Sequence, residues 1–478
     1  MRAVVHKTPV LILVAAGNLF AATIMAQDKP TPVSEQPPPT GVVLPKVQSK
    51  TDPSQTFALY LPLGYSPEKR WPVIYAFDWA AHGNVPVELL YPAAEKRGYI
   101  LIGSNNSRNG SAKESLEAAM ALWKDTRARF AIDERQVYAA GFSGAARSAF
   151  VFAEQCGCVH GVIAAGAGLP ALAGPLRGLA YGVFMTVGIY DFNYPELVAL
   201  EQQLDALHVP NRLRRFDGTH EWPPAAVLAE ALDWVQFQAI REGRRPRDNA
   251  FVAQMHSESL ERARAAAKAG DLLSAYEEYR KSAEEFAGVA DTSEMASRAA
   301  GLMSSPELQK AEKQEREDSA RQKRMVADIE QQLAVLPGGS FDLGRRPGEI
   351  TPMVEELRER AGRAKDPRDV RVLRRAIAGV FALAYESGLT RFRQGDKQSA
   401  ELYFEVAAVA GPDSPGPPFE LARVYASSGD KKHALRSLET AVTKGLSNPA
   451  TLRETSEFRS LRGEARYQEL VARLEQAH

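Results

Sequence analysis

The sequence predicts an α/β fold with a doubly wound, mostly parallel sheet, followed by an all-α domain of helical repeats. Three observations carry this prediction. An apolar strand, a tight turn and a helical run follow one another around residue 143, as in a strand covered by a helix. Two further apolar strands follow at spacings that leave room for a helix between them. Beyond residue ~246 the β-branched runs disappear, and Ala, Glu, Arg and Leu recur with helical periodicity.

Length and composition fit a two-domain soluble protein. The chain has 478 residues, of which 45% are hydrophobic and 25% are charged. Its 59 basic residues balance 59 acidic residues, and no basic stripe is interleaved with aromatic residues. The sequence therefore offers no electrostatic basis for binding nucleic acid.

The first 45 residues predict export. Arg2 and Lys7 precede an apolar run that ends at Ala26 before a polar stretch, which is typical of a secretory signal peptide over residues 1–26. A retained membrane anchor is the alternative, although the apolar run is short and interrupted. Residues 27–45 are too rich in proline to pack and are interpreted as a linker. We expect a protein secreted to the periplasm or the extracellular space, with no membrane span after signal removal.

The most informative segment is QVYAAGFSGAARSAF, in which Ser143 lies between an apolar strand and a helical run. A backbone that turns so tightly from strand to helix needs small residues on both sides of the serine. Gly141 and Gly144 meet that requirement. Ala145 stands where the G-x-S-x-G pattern has its last glycine, so the fit is close and not complete. The segment predicts a nucleophile elbow.

Two later segments supply partners for Ser143 in the order acid, then histidine. In YGVFMTVGIYDFNYPE, Asp191 lies on the loop after a buried-type strand. In RLRRFDGTHEWPP, His220 lies on the loop after another short strand. Asp217 is a rival for the acid, although it is more typical of a turn former in Asp-Gly. Alternatively, Asp191 caps the next helix and His220 is an ordinary loop histidine.

These three side chains match the requirements of acyl transfer. A serine hydroxyl is a poor nucleophile until a neutral imidazole takes its proton, and a carboxylate must hold that imidazole in one tautomer. Ser143 is therefore the predicted nucleophile, His220 the base and Asp191 its orienter. Two backbone N–H groups must face the oxygen on which negative charge develops. We assign them to Gly144, after the nucleophile, and to Trp79, whose indole either walls the acyl pocket or is structural.

With these motifs, residues ~46 to 245 resemble the compact esterase and polyhydroxybutyrate-depolymerase-like branch of the α/β-hydrolase family. The matching pieces are WPVIYAF, GYILIGSNNS, DERQVYAAGFSGAAR, VGIYDFNY and FDGTHEW. The resemblance implies hydrolysis of a carboxylic ester through an acyl-enzyme. This chain departs from the family at Ala145 and before the oxyanion turn, where Asp78 and Trp79 replace His-Gly. A peptidase of the same fold and a non-catalytic scaffold whose repeats bind a partner are the alternatives.

No metal or other cofactor is expected. A metal site at Asp78 and His82 needs more ligands than the sequence offers. Cys156 and Cys158 are separated by one glycine, so a disulfide between them would close a very small ring. We therefore expect two small buried thiols at the end of the elbow helix.

Residues 246–478 form the second predicted domain. Its segments KAGDLLSAYEEYRKSA, RQGDKQSAELYFEVAA and SSGDKKHALRSLETAV share Gly-Asp followed by Ala at a fixed distance. Gly395 and Gly429 are 34 residues apart (429 − 395), which is the tetratricopeptide period. The domain is thus similar to tetratricopeptide repeats. A charged run between the repeats predicts a long solvated helix, and EFRSLRGEARYQELVARLE predicts a terminal helical cap.

Two roles are open for the helical domain. Either its concave surface binds a protein or peptide partner, or it packs on the hydrolase-like domain and shapes the mouth of the pocket. The hydrolase-like region has no long insertion that would serve as a lid, and AGAGLPALAGPLRGLA is its one candidate cover. We therefore expect an open site suited to a small polar ester, a polymer end or an acylated saccharide. The loop SNNSRNGS either lines this site or is an ordinary turn.

Overall fold

The computed structural model describes residues 38–170, 178–333 and 350–476. The predicted signal peptide and most of the predicted linker therefore lie outside the described residues. The same holds for the centre of the candidate cover, AGAGLPALAGPLRGLA, over residues 171–177. The described residues from 40 onwards form one compact unit.

Eight strands of the described chain form one sheet. They are β1 Val43–Gln48, β2 Thr56–Tyr60, β3 Trp71–Phe77, β4 Ile100–Ser104, β5 Ile132–Phe142, β6 Gly161–Ala165, β7 Gly182–Gly188 and β8 Asn211–Phe216. Their order is β1-β2-β4-β3-β5-β6-β7-β8. Only β2 runs against its neighbours, and all pairs from β4 to β8 are parallel. The predicted mostly parallel sheet is confirmed, and it begins at Val43, inside the predicted linker.

Helices cover both faces of this sheet. They are α1 Asn84–Arg97, α2 Ala112–Arg129, α3 Gly144–Cys156, α4 Tyr194–Ala206 and α5 Ala225–Arg241. Side chains alternate along β3, so Val73 and Tyr75 face one core while Ile74 and Ala76 face the other. The first core includes side chains of α2, α3 and α4, and the second includes those of α1 and α5. The predicted doubly wound arrangement follows from this alternation, because neither face of the sheet is left to water.

The rest of the described chain is helical, as predicted. Its helices are α6 Asn249–Lys268, α7 Leu272–Phe286, α8 Ser293–Met303, α9 Pro306–Leu333, α10 Thr351–Arg363, α11 Pro367–Arg393, α12 Lys397–Ala410, α13 Gly416–Ser427, α14 Lys431–Thr443, α15 Pro449–Glu454 and α16 Ala465–Gln476, with a 3₁₀ helix at Ser456–Leu461. Across the described ranges, no helix has both the length and the apolar character that crossing a membrane requires.

The three segments aligned from the sequence share one local structure. In each, a glycine with φ between 76° and 83° ends one helix, and the next aspartate accepts a hydrogen bond from the N–H three residues later. The pairs are Gly270 with Asp271, Gly395 with Asp396, and Gly429 with Asp430. This shared turn accounts for the repeated Gly-Asp. Assignment of the helix pairs to the tetratricopeptide family stays a prediction.

The C-terminal segment packs as the predicted cap. Its apolar stripe is at most 6% exposed and joins α13 and α14 in one hydrophobic cluster. The stripe is formed by Phe458, Leu461, Tyr467 and Leu470. These side chains close the end of the helical stack.

The charged run SSPELQK…QQL forms α9, but the prediction of a solvated helix is only partly right. Asp318, Gln322 and Ile329 on this helix are buried. They are buried because one face of α9 packs on α7 and α11. Charge density along the chain did not reveal that face, because its contacts are with residues distant in sequence.

The prediction of two buried free thiols is wrong. Cys156 and Cys158 form a disulfide and both are only half-buried. Gly157, between them, adopts a left-handed conformation with φ 60°, which ends α3 and turns the chain back on itself. The two Cα atoms are consequently 5.1 Å apart, within the usual range for a disulfide.

Candidate active site

Ser143 occupies a strained turn between β5 and α3. Its φ of 58° is rare for a residue with a side chain, and its N–H donates to Ala165 O at 2.8 Å. Gly141 is required there, because a Cβ at this position would lie 2.2 Å from Ala145 O. Ala145 itself is buried in the core beneath the turn, so the methyl group that departs from G-x-S-x-G is accommodated. Strain of this kind is characteristic of a nucleophile elbow.

The structure brings together the three side chains selected from the sequence. His220 Nε2 lies 2.8 Å from Ser143 Oγ. His220 Nδ1 lies 3.0 Å from each carboxylate oxygen of Asp191. The side chain of Asp191 is 1% exposed and that of His220 is 21% exposed, so the carboxylate is shielded from water while the imidazole reaches the site. Asp191 also accepts a hydrogen bond from the N–H of Asn193 at 2.8 Å.

The alternatives for these residues are not supported. Asp217 is exposed, whereas the Asp191 carboxylate accepts the hydrogen bond from His220 Nδ1. Asn193, and not Asp191, is the residue immediately before α4. All three selected residues lie at the carboxyl ends of parallel strands β5, β7 and β8 or on the loops that follow them, which is where doubly wound sheets form their sites.

Two aromatic rings that the sequence analysis did not select enclose the imidazole. The ring of Phe142 lies 4.8 Å from that of His220 between centroids, and the ring of Phe192 lies 4.4 Å away. Both could have been found, since Phe142 precedes Ser143 and Phe192 follows Asp191. These rings restrict the tilt of the imidazole and exclude water from its faces.

Gly144 and Trp79 both line the cleft beside Ser143. Within the described residues, neither backbone N–H donates a hydrogen bond to a protein group, and their role as oxyanion donors stays a prediction. Asp78 is 3% exposed and shapes the turn by accepting from Ala80 N at 2.9 Å. The indole of Trp222 also donates to Asp78, at 3.3 Å. Asp78 therefore stabilises the turn. Among the described residues, no group of three or more His, Cys, Asp or Glu side chains is arranged to hold a metal ion.

Asn109, from the loop SNNSRNGS, contacts the turn after Ser143. A Cβ on Gly144 would lie 2.0 Å from Asn109 Oδ1, so a larger residue there would displace the Asn109 side chain. The N–H of Asn109 donates to Trp79 O at 2.8 Å. The loop that the sequence analysis left open is thus part of the site, and it ties the two candidate N–H donors to each other.

The cleft above Ser143 has a volume of about 950 Å³ and two walls. One wall comes from the sheet domain and includes the half-exposed Trp79. The other comes from α9 and α11 of the helical domain. Its apolar members are Val326, Ala327, Ala382, Leu383 and Leu389. The site is therefore not the open surface expected from the absence of a lid insertion, because helices far along the chain supply the second wall.

No protein-family model matches the sequence, and no curated protein matches it. Solved structures similar to part of the chain include an S-formylglutathione hydrolase from Staphylococcus aureus, with 12% identity, 41% of this chain and 98% of that chain covered, and a TM-score of 0.33. An esterase from Pyrobaculum calidifontis has 12% identity, covers 42% and 87%, and has a TM-score of 0.35. A ferulic acid esterase has 18% identity, covers 41% and 96%, and has a TM-score of 0.33. At these values the assignment of function rests on the site geometry alone.

Proposed function

We propose that the protein is a serine hydrolase that cleaves carboxylic esters. The observation that carries the proposal is the continuous hydrogen-bond chain from Ser143 Oγ through the His220 imidazole to Asp191, with links of 2.8 and 3.0 Å. Such a chain lets the imidazole take the hydroxyl proton while the buried carboxylate fixes its tautomer and stabilises the imidazolium that forms.

The reaction proceeds in two halves. Ser143 Oγ attacks the ester carbonyl carbon as its proton moves to His220 Nε2, and the N–H groups of Gly144 and Trp79 bind the resulting oxyanion. Collapse of the tetrahedral intermediate releases the alcohol, which carries away the proton from His220. Water then attacks the acyl-enzyme with His220 as base, releasing the acid and restoring the Ser143 hydroxyl.

The lining of the cleft supports a substrate with an apolar group. The sequence predicted a small polar ester, a polymer end or an acylated saccharide at an open site. Across the cleft from Trp79, the wall from α9 and α11 presents the apolar side chains named above beside charged ones that include Lys323, Glu330 and Arg393. Because burial of each CH₂ group stabilises a complex by roughly 0.8 kcal/mol, the apolar side chains favour esters whose acyl or alcohol part is apolar.

Labelling with a fluorophosphonate is the direct test of the proposed nucleophile. We expect the folded mature protein to bind one phosphonyl group at Ser143, located by mass spectrometry. The reason is that Ser143 Oγ is already hydrogen-bonded to its base, His220 Nε2. Ser143→Ala is the control and should not be labelled. A folded protein without label would favour the non-catalytic scaffold, and faster cleavage of peptide amides than of esters would favour the peptidase.

Substitution of Leu383 tests the apolar wall. Leu383→Gln keeps the size of the side chain and removes its apolar surface, so kcat/KM for an octanoate aryl ester should fall about tenfold. The value for the acetate ester should change less than about twofold, since a short acyl group does not fill the cleft. Leu63→Gln, at a position 68% exposed and outside the cleft, is the matched control. An equal loss for both esters would place Leu383 outside the acyl-binding region.

We also propose that the chain is exported and that α9 and α11 shape the pocket. Export rests on the segment over residues 1–26, and N-terminal sequencing of secreted protein would test it. Packing of α9 and α11 on the cleft supports the second of the two roles considered for the helical domain. Binding of a partner by the later helices stays a prediction.

A further inference from the structure

We propose that the helical domain completes the active site through Arg375 and Gln322, which act as positioning residues for the loop that carries Asp191. The inference rests on the proposed function, because Asp191 matters only if His220 acts as a base. The loop comprises residues 189–193, between β7 and α4.

The two side chains hold the loop on either side of Asp191. Arg375 Nε, on α11, donates to Ile189 O at 2.6 Å. Gln322 Nε2, on α9, donates to Phe192 O at 2.8 Å. Both bonds go to backbone carbonyls, so they fix the path of the chain and not a single side-chain rotamer.

Arg375 is buried against the loop, with no carboxylate of the described chain within hydrogen-bond distance of its guanidinium. Its side chain is 4% exposed, and the nearest carboxylate, that of Glu315, is 3.9 Å away, beyond hydrogen-bond distance. The guanidinium instead lies 3.4 Å from the centre of the Tyr194 ring. Tyr194 follows the loop, and its N–H donates to Asp191 O at 3.1 Å. A buried cation whose close contacts are a loop carbonyl and an aromatic ring stabilises that loop in one conformation.

The helices also set the position of Phe192, which contacts the imidazole. Its ring lies 4.4 Å from that of His220, and its carbonyl is held by Gln322. Helix α11 packs directly against this point, since a Cβ on Gly379 would lie 3.6 Å from Phe192 Cβ, an ordinary contact distance. Displacement of α11 would therefore move both the acid and the aromatic wall of His220.

Arg375→Met in the full-length protein tests the proposal. Arg375 does not line the cleft, so its loss should leave KM for a short-chain ester unchanged and lower kcat about 10²-fold, as expected when a reacting group is misplaced by about 1 Å. Arg375→Lys keeps a donor and should recover part of this loss. Gln322→Leu should lower kcat as well and is the second variant if Arg375→Met does not fold; because Gln322 lines the cleft, its readout is kcat at saturating ester and not KM.

A double-mutant cycle separates positioning from general stability. If Arg375 acts through Asp191, its replacement should matter little once Asp191 is altered. In an Asp191→Asn background, Arg375→Met should therefore lower kcat by less than about threefold further. Arg368→Met is the matched control. Arg368 is on the same helix and pairs with Asp318 of α9 at 2.6 Å without touching the loop, so kcat should be unchanged. Equal losses in Arg375→Met and Arg368→Met, or full additivity with Asp191→Asn, would overturn the proposal.

A spectroscopic measurement keeps the inference separate from the proposed function. The His220 Nδ1 proton shared with Asp191 should give a low-field proton NMR signal in the wild type and in Arg368→Met, and this signal should shift or disappear in Arg375→Met. The same result without any turnover in the wild type would overturn the esterase and leave the positioning role standing. An unchanged signal in Arg375→Met would overturn the positioning role.

Discussion

Replacement of His220 by alanine is expected to lower kcat for a short-chain aryl ester by about 10⁶-fold, the loss typical of removing a base that acts as a unit with its nucleophile. Without the imidazole at 2.8 Å, the Ser143 hydroxyl has no group to accept its proton. Substrate binding does not depend on this proton transfer, so KM should change little. Steady-state hydrolysis, followed over hours with concentrated protein, would measure the effect.

If the three residues act as a unit, the effects of their substitutions on kcat should not add. Ser143→Ala should cost about as much as His220→Ala, and the double variant should cost no more than either. Asp191→Asn should cost about 10⁴-fold, since the amide favours the wrong imidazole tautomer. Thermal unfolding of each variant is the control for misfolding. Additive losses, or near wild-type activity in His220→Ala, would remove His220 from the mechanism.

The proposed triad could be selected from the sequence because its signals are local. Each residue follows an apolar strand, and the chain order of nucleophile, acid and histidine limits the choice. Parallel strands then bring their carboxyl ends to one edge of the sheet, so residues separated by up to 77 positions meet there. The small residues around Ser143 are an equally local signal, because the backbone geometry of a single turn requires them.

Features that depend on contacts between distant segments escaped the sequence analysis. The second wall of the cleft comes from α9 and α11, and no pattern within those helices indicates that they face the site. Arg375 reads as one of many arginines on a charged helix, although it is buried against a loop 186 residues earlier. The disulfide at Cys156 escaped for another reason, since it depends on the left-handed conformation of a single glycine.

A buried ion-pair cluster between β8 and α7 is another such long-range feature. Glu278 of α7 accepts hydrogen bonds from Arg214 Nη1 at 2.8 Å and from Arg262 Nε at 3.1 Å, and it pairs with Arg212 at 2.9 Å. β8 is the last strand in the sheet order, so α7 covers what would otherwise be an open edge. The cluster therefore holds α6 and α7, the first helices of the helical domain, against the edge of the sheet.

Replacement of Glu278 by glutamine is expected to lower the free energy of unfolding by about 3 kcal/mol, because it leaves buried guanidinium groups without their shared carboxylate. Glu284→Gln, on the same helix, removes a carboxylate that is 64% exposed and paired with Arg280. It should cost less than about 1 kcal/mol. Urea unfolding of the two variants at neutral pH makes the comparison. Equal small effects would mean that the cluster contributes no net stability.

The pH dependence of stability in Glu278→Gln tests independently whether the carboxylate of Glu278 stabilises or destabilises the fold. Burial alone would raise the pKa of Glu278, but the charges of Arg212 and Arg214 outweigh it and hold that pKa well below the ordinary value of 4.5. A carboxylate with a lowered pKa in the folded state stabilises the fold above its unfolded pKa and loses that contribution as the pH falls. The stability difference between wild type and Glu278→Gln should therefore be full near neutral pH and shrink steadily below pH ~4.5. A difference that grows on acidification would show that burial, and not the arginine charges, governs this carboxylate.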